Sequence, residues 1–285
     1  MKKIILLLFL LNTLIFAAIN TVVSILPEKT FVKAIGGEKV NISLMVLPGN
    51  SPHTYEPKPS QMKEIAQATL YFAIGVEFEN VWLDKFKDLN QKMQIVDLSE
   101  GIEKLPMTAH HDEDPADTHS KEQQGTDPHI WTSPENVKII ALHIYEALVK
   151  TDPANESYYK QNYTTFLSLI EKTDSKIKSI LSVKAKGTKF MVFHPSWGYF
   201  AKAYGLVQLP VEAEGKAPKP RELIALIKEA REEEVKAIFT QPEFSDSSAK
   251  IIASELGIPV IKVSPMAPDW SENLIKIAKA IAGKA

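Results

Sequence analysis

The sequence predicts an α/β protein of two lobes, each with a mostly parallel sheet of about four strands flanked by helices, joined by one long rigid helix. Two observations lead to this fold class. In both halves of the 285-residue chain, short apolar and β-branched runs alternate with amphipathic helical segments, which is typical of parallel sheets covered on both faces. Between the halves the alternation stops, and one apolar stripe continues at helical spacing.

The composition is that of a folded globular protein. Hydrophobic residues make up 45% and charged residues 24% of the chain, and the length suggests about two domains. The 33 Lys+Arg against 35 Asp+Glu give a formal net charge of −2. With no basic stripe in the sequence, this argues against nucleic acid as the main partner.

The first 18 residues have the order of a secretory signal peptide. Residues 1–3 (MKK) form a short basic start, residues 4–11 are apolar without a break, and Ala17 and Ala18 are small. An uncleaved membrane anchor is the alternative, but a spanning helix needs about 20 apolar residues and this stretch is shorter and interrupted. The chain has no cysteine, so it has neither a disulfide nor the residue that carries a bacterial lipid anchor. We expect a soluble periplasmic protein without a lipid anchor.

The N-terminal lobe is predicted to span residues 19–151. Its strands alternate with helical patterns, and the last segment is a helix opened by the cap residue Ser133 and by Pro134 at the first helical position. The predicted strands cover residues 21–26, 41–47, 70–74 and 94–98, and helices end at Gly36-Gly37, begin near residue 60 and cover residues 79–89.

A linking helix is predicted over residues 152–186. Asp152 and Pro153 repeat the cap-and-proline start, and apolar residues then recur at helical spacing as far as Leu181. About 29 helical residues would span about 43 Å at 1.5 Å per residue, far longer than the average helix of about 11–12 residues. An ordinary core helix is one interpretation. The position between two matching halves favours a strut that packs on both lobes.

The C-terminal lobe, residues 187–285, repeats the rhythm of the first. Strands are predicted at residues 189–194, 206–211, 237–240 and 259–263, and helices at residues 197–204, 220–234, 247–256 and 272–282. The two lobes share this pattern without a residue-level repeat.

Three of the seven histidines lie where ligands bind in such folds. His53 is in the loop after the second strand, His194 ends the first strand of the second lobe, and His129 precedes the helix opened by Ser133. Open parallel sheets bind ligands beyond the carboxyl ends of their strands, and three imidazoles that converge suit zinc. Each histidine alone is better explained as an ordinary loop or strand-end residue, and it is their shared placement that favours a joint site. His143 lies beside the apolar stripe of its helix and is interpreted as a surface or boundary residue.

A histidine-containing acidic loop spans residues 107–126. It contains His110, His111 and His119 among five acidic residues and has no apolar periodicity. A solvated linker is one interpretation of the loop. Weak metal binding is the other, because histidine-rich tracts bind metal.

Three stretches that contain these histidines carry a family resemblance. Residues 48–57 (PGNSPHTYEP), 127–131 (DPHIW) and 193–200 (FHPSWGYF) resemble the solute-binding proteins of zinc and manganese ABC importers, of the periplasmic zinc-uptake type. The resemblance implies two α/β lobes joined by a long helix, one metal ion in the cleft ligated by His53, His129 and His194, and a membrane permease as partner. The loop at residues 107–126 is placed as in zinc-type members, which favours zinc over manganese.

One position departs from the family pattern. Ser264 stands where members with a fourth protein ligand commonly have Asp, and a serine hydroxyl is a poor zinc ligand. Water is the fourth ligand we expect, ahead of Glu243, Asp246 and Asp269, which lie on loops after later strands. Neutral ligands also disfavour manganese, a harder ion.

The predicted function is therefore high-affinity zinc binding by a periplasmic monomer and delivery of the ion to a permease, without catalysis. A manganese or iron carrier is the nearest alternative. A zinc hydrolase with Glu243 as general base is the alternative from another class, but the sequence has no His-Glu-x-x-His or Gly-x-Ser-x-Gly motif. A surface adhesin is a further alternative, disfavoured by the missing anchor cysteine.

Overall fold

The computed structural model describes residues 18–107, 125–212 and 216–284. The predicted signal peptide, except Ala18, and the loop histidines His110, His111 and His119 lie outside these residues. Within the described part, the strands form two sheets of four parallel strands, which confirms the predicted fold class.

The two sheets have the same strand order. The first contains β1 (Ile19–Val23), β2 (Val40–Leu44), β3 (Leu70–Ala73) and β4 (Gln94–Asp97), in the order β2-β1-β3-β4. The second contains β5 (Lys189–Val192), β6 (Val207–Pro210), β7 (Ile238–Thr240) and β8 (Val260–Lys262), in the order β6-β5-β7-β8. In each sheet the chain leaves the two central strands in opposite directions. The carboxyl ends of β1 and β3, and of β5 and β7, therefore flank a topological switch point.

The helices begin where the sequence offers helix starts and end close to the predicted residues. Proline occupies the first turn of several of them, where its missing N–H is not needed. The helices are α1 (Leu26–Gly36), α2 (Pro59–Gln67), α3 (Glu77–Leu89), α4 (Pro134–Thr151), α5 (Glu156–Leu181), α6 (Gly198–Tyr204), α7 (Pro220–Glu232), α8 (Ser247–Leu256) and α9 (Trp270–Ile281). None of the helices in the described ranges has both the length and the apolar character needed to cross a membrane.

The predicted long helix is α5, which has 26 residues and follows a 3₁₀ turn at Pro153–Asn155. It packs against α1 and α4 of the N-terminal lobe and against α9 at the end of the chain. The Asn162 side chain donates a hydrogen bond to the Ile35 carbonyl at 3.0 Å, and the Thr173 and Ser271 hydroxyls lie 2.6 Å apart. The helix thus contacts elements from both halves of the chain, as expected of a strut.

Further contacts fasten the lobes to each other. Buried residues of β1, α5, β5 and α9 belong to one continuous core, while a second core lies within the C-terminal lobe. The Trp131 indole N–H donates to the Pro265 carbonyl at 2.8 Å, and the Trp270 indole N–H donates to the Trp131 carbonyl at 2.7 Å. The segment that precedes α4 is therefore attached to the C-terminal lobe, next to the loop that follows β8.

Candidate metal centre

The structure brings His53, His129 and His194 together. One ring nitrogen of each lies within 4.8 Å of the others, and in the described ranges they form the one group of three or more His, Cys, Asp or Glu arranged to hold a metal. The Nε2 atoms of His53 and His194 are 3.1 Å apart. Two nitrogens bound to tetrahedral zinc at about 2.0–2.1 Å would be roughly 3.3 Å apart. The rings are therefore close enough to share one ion.

Each histidine is held by a different part of the fold. His53 lies in the 3₁₀ turn Pro52–Thr54 after β2, and its backbone N–H donates to the Ser51 hydroxyl at 3.3 Å. His129 precedes a 3₁₀ turn at Ile130–Thr132, ahead of α4. His194 follows β5, and its ring stacks on that of Phe244 at 4.7 Å between centroids. His129 and His194 are buried, and His53 is half-buried, so the centre opens on the side of His53.

A carboxylate accepts a hydrogen bond at the Nδ1 atom of every one of the three rings. Glu77 lies 2.8 Å from His53, Asp127 lies 2.7 Å from His129, and Glu212 lies 2.6 Å from His194. With its proton on Nδ1, a neutral imidazole presents the lone pair of Nε2. Such carboxylate–histidine pairs fix the tautomer and the ring orientation of metal-ligating histidines and raise their basicity. All three rings are thus prepared to ligate through Nε2.

The pKa values of two of the histidines shift in opposite directions. Burial lowers the pKa of His53, but the hydrogen bond and charge of Glu77, with the charges of Glu212 and Asp127, outweigh it and raise the pKa above its ordinary value. Burial lowers the pKa of His194, and the Glu212 hydrogen bond offsets this only in part. Burial raises the pKa of Glu77, but the hydrogen bond and charge of His53, with a backbone hydrogen bond and the charge of His129, outweigh burial and lower the pKa below its ordinary value. His53, the ring nearest the opening, therefore takes up a proton more readily than His194 does.

Of the residues considered as a fourth ligand, Glu243 alone lines the cavity. The Ser264 hydroxyl donates to Glu243 Oε1 at 3.2 Å. Asp246 is paired with Lys250 at 2.8 Å and with Lys262 at 3.8 Å, and Asp269 is the residue before α9. The cavity is lined by Ser51, Pro52, His53, His129, His194, Gln241, Glu243, Phe244, Pro265 and Met266.

Sequence reasoning did not assign roles to Glu77, Glu212 or Gln241. Glu77 and Glu212 are 24 and 18 residues from the histidines they hold, so no short motif joins them. The available signal was their position, since Glu77 follows β3 and Glu212 follows β6. Asp127 could have been identified from the sequence, because it lies in the DPHIW stretch two residues before His129.

Comparisons with known proteins agree with the fold and with a metal-binding protein. Residues 21–283 match the family model described as "ZnuA: Zinc-uptake complex component A periplasmic". A crystal structure of a protein described as ZnuA superposes with a TM-score of 0.84 at 40% identity, covering 93% of this chain and 98% of that one.

Curated relatives are more distant in sequence. The high-affinity zinc uptake system protein ZnuA of Bacillus subtilis is 28% identical, with 84% of this chain and 76% of that protein covered. The manganese ABC transporter substrate-binding lipoprotein PsaA of Streptococcus anginosus is also 28% identical, with 80% and 74% covered. Because the family model matches nearly all of the described residues, the chain belongs to the family of zinc-uptake complex component A, the metal-binding substrate-binding proteins of ABC importers.

Proposed function

We propose that this protein binds one zinc ion through His53, His129 and His194 and delivers it to the membrane permease of an ABC importer. The observation that carries the proposal is the set of three Nδ1–carboxylate hydrogen bonds, which leave Nε2 available on each ring, together with three ring nitrogens that lie within 4.8 Å of one another. Neutral imidazole nitrogens suit zinc, whereas calcium and magnesium prefer oxygen ligands.

Manganese is the alternative cargo, favoured by the relative described as a manganese ABC transporter protein. Manganese is a harder ion that is better served by carboxylate oxygens. In this chain a serine, Ser264, lies next to the cavity residue Glu243, where an aspartate would have supplied such an oxygen. The all-nitrogen donor set therefore supports zinc.

The proposal includes export to the periplasm by residues 1–18, a monomer in solution, and capture and delivery as the whole activity, without catalysis. The absence of a lipid anchor stays a prediction, because the relative from S. anginosus is described as a lipoprotein.

For His110, His111 and His119 we propose weak, separate metal binding. Deleting residues 108–124 is expected to remove weakly bound zinc and to leave the tight site intact.

The decisive experiment measures zinc affinity by competition with a chelator for the wild type and for His53→Ala, His129→Ala and His194→Ala. His143→Ala is the matched control, because His143 lies on α4 outside the centre. One tight zinc per chain is expected in the wild type and the control, with at least about 100-fold weaker binding in each ligand variant. Zinc at 1,000 times its Kd should also stabilise the wild type by about 4 kcal/mol. Unchanged affinity in the ligand variants would refute the proposed ligands, and tighter binding of manganese than of zinc would refute the proposed cargo.

A further inference from the structure

Gln241 lies at the metal centre without being one of its predicted ligands. It follows β7 directly, at the switch point where β5 ends near His194. Its side chain lines the same cavity as the three histidines and is only 4% exposed. A polar side chain buried this deeply needs hydrogen-bond partners, because an unpaired buried group costs about 1–3 kcal/mol.

The hydrogen bonds around Ser196 fix which way the Gln241 amide faces. The Ser196 hydroxyl lies 3.4 Å from the His194 carbonyl, to which it can only donate. Its lone pair then accepts a hydrogen bond from Gln241 Nε2. The amide nitrogen is thereby directed to Ser196. The amide oxygen, Oε1, is buried and has no hydrogen-bond partner among the described residues.

A buried acceptor such as Gln241 Oε1 can receive a hydrogen bond from a donor that is itself bound to the metal. Three histidines leave one position of a four-coordinate zinc ion, which a water molecule commonly fills. Zinc lowers the pKa of such a water to about 7, which makes it a strong hydrogen-bond donor. The carboxylate that could compete for this position, Glu243, is engaged by the Ser264 hydroxyl.

We propose that Gln241 is a positioning residue whose Oε1 accepts a hydrogen bond from the water that completes the coordination of the metal. This inference rests on the proposed function and specifies its fourth ligand. A neutral amide leaves the ligand a water molecule. A carboxylate at the same place would bind the metal directly and would improve the site for harder ions such as manganese.

The test uses the whole chain loaded with Co²⁺, whose visible spectrum reports the ligand set, together with zinc affinities. Gln241→Leu removes the acceptor at similar size, and Ser196→Ala removes the other amide contact while keeping Oε1. We expect Gln241→Leu to weaken zinc binding about 10- to 100-fold. We also expect it to lower the pH at which the Co²⁺ spectrum titrates, because the acceptor stabilises bound water relative to hydroxide. Because Ser196→Ala releases the amide but keeps the acceptor, it should weaken zinc binding less than Gln241→Leu does. If Gln241→Leu does not fold, Gln241→Met is measured in its place.

Two results would overturn the inference. One is an unchanged affinity and an unchanged spectral titration in Gln241→Leu. The other is a Glu243→Gln variant whose Co²⁺ spectrum loses a carboxylate ligand, which would assign the fourth position to Glu243. Neither result would touch the three-histidine site. The proposed function fails separately, if the wild type binds no zinc or if the histidine variants bind as well as the wild type.

Discussion

The two lobes share one strand order but use their switch points differently. In the C-terminal lobe, the crevice beyond β5 and β7 holds His194 and opens on the metal cavity. In the N-terminal lobe, the crevice beyond β1 and β3 is filled by its own polar side chains. Ser24 donates to Glu79, its hydroxyl lies 2.7 Å from that of Tyr71, and Glu28 accepts the backbone N–H groups of Ser24 and Ile25, both at 2.9 Å.

The polar side chains that fill this crevice form a buried hydrogen-bond network with a structural role. Glu28 is completely buried and Glu79 is 2% exposed. Burial raises the pKa of Glu79 to about 7, although its hydrogen bonds to Ser24, Ile74 and Gly75 oppose the shift. Burial and the charge of Glu79 raise the pKa of Glu28 well above its ordinary value. The same topology thus supplies two crevices, and the residues at the strand ends decide which of them can receive a ligand.

The largest expected effect is a loss of zinc affinity at low pH, where protons compete with zinc for the histidines of the two lobes. Zinc binds neutral imidazole, so protonation of each ring weakens binding. The pKa of His53 is raised and that of His194 is lowered. As pH falls, His53 therefore takes up its proton before His194 does. We expect zinc affinity to fall roughly 1,000-fold between about pH 7.5 and pH 5.5, measured by chelator competition at constant ionic strength.

The control for this prediction is Glu77→Gln. Removing the Glu77 charge removes the main cause of the raised His53 pKa, so the loss of affinity should begin at a lower pH than in the wild type. An onset at the same pH in both proteins would show that Glu77 does not set the first protonation step.

The next largest effect concerns the filled crevice. Glu79→Ala leaves Ser24 Oγ and the backbone N–H groups of Ile74 and Gly75 without their acceptor. We expect a loss of about 3 kcal/mol in the free energy of unfolding, roughly 150-fold in the folding equilibrium. Urea unfolding of the metal-free protein measures it. Glu212→Ala, which removes the hydrogen bond to His194 at the other crevice, should cost about 1 kcal/mol. Equal losses would contradict the contrast between the crevices.

A third prediction compares the carboxylates that hold a histidine in each lobe. The Glu212 side chain is 4% exposed, and that of Glu77 is 37% exposed. The Glu212–His194 hydrogen bond is the one shielded from water, so it should contribute more to zinc affinity than the Glu77–His53 bond does. We expect Glu212→Gln to weaken zinc binding about 100-fold and Glu77→Gln about 10-fold at pH 7.5. Calorimetric competition titrations of both variants measure the difference, and a reversed ranking would show that burial does not set the strength of these pairs.

Much of the fold could be predicted because its signals are local. The α8 bounds agree with the prediction to the residue, and the strands agree within a few residues. Strand ends were overestimated, as in the predicted strand 189–194 against β5 (Lys189–Val192), because Phe193 continues the apolar run up to His194 after the ladder has ended. The predicted 29-residue helix is a 3₁₀ turn followed by α5.

The candidate site was predictable only in part. The three histidines each follow a strand end or precede a helix start, and the family motifs contain them. Their Nδ1 partners Glu77 and Glu212 come close only through the packing of separate loops. The orientation of Gln241 depends on a serine 45 residues away. Contacts of this kind are set by tertiary structure, and one sequence carries no periodicity that reveals them.

The smallest expected effect tests whether displacing Asp127, which holds His129, weakens zinc binding. A Cβ atom at Gly198 would lie 2.5 Å from Asp127 Oδ2, and Asp127 holds His129 through its other oxygen. Gly198→Ala must therefore displace Asp127, and we expect zinc affinity to fall about fivefold. Gly36→Ala is the matched control, because its Cβ would meet Val40 at 2.6 Å, away from the cavity. Both variants should lose about 1–3 kcal/mol of stability by overpacking, but Gly198→Ala alone should bind zinc more weakly. If both variants bound zinc like the wild type, the position of His129 would not depend on Asp127 to this degree.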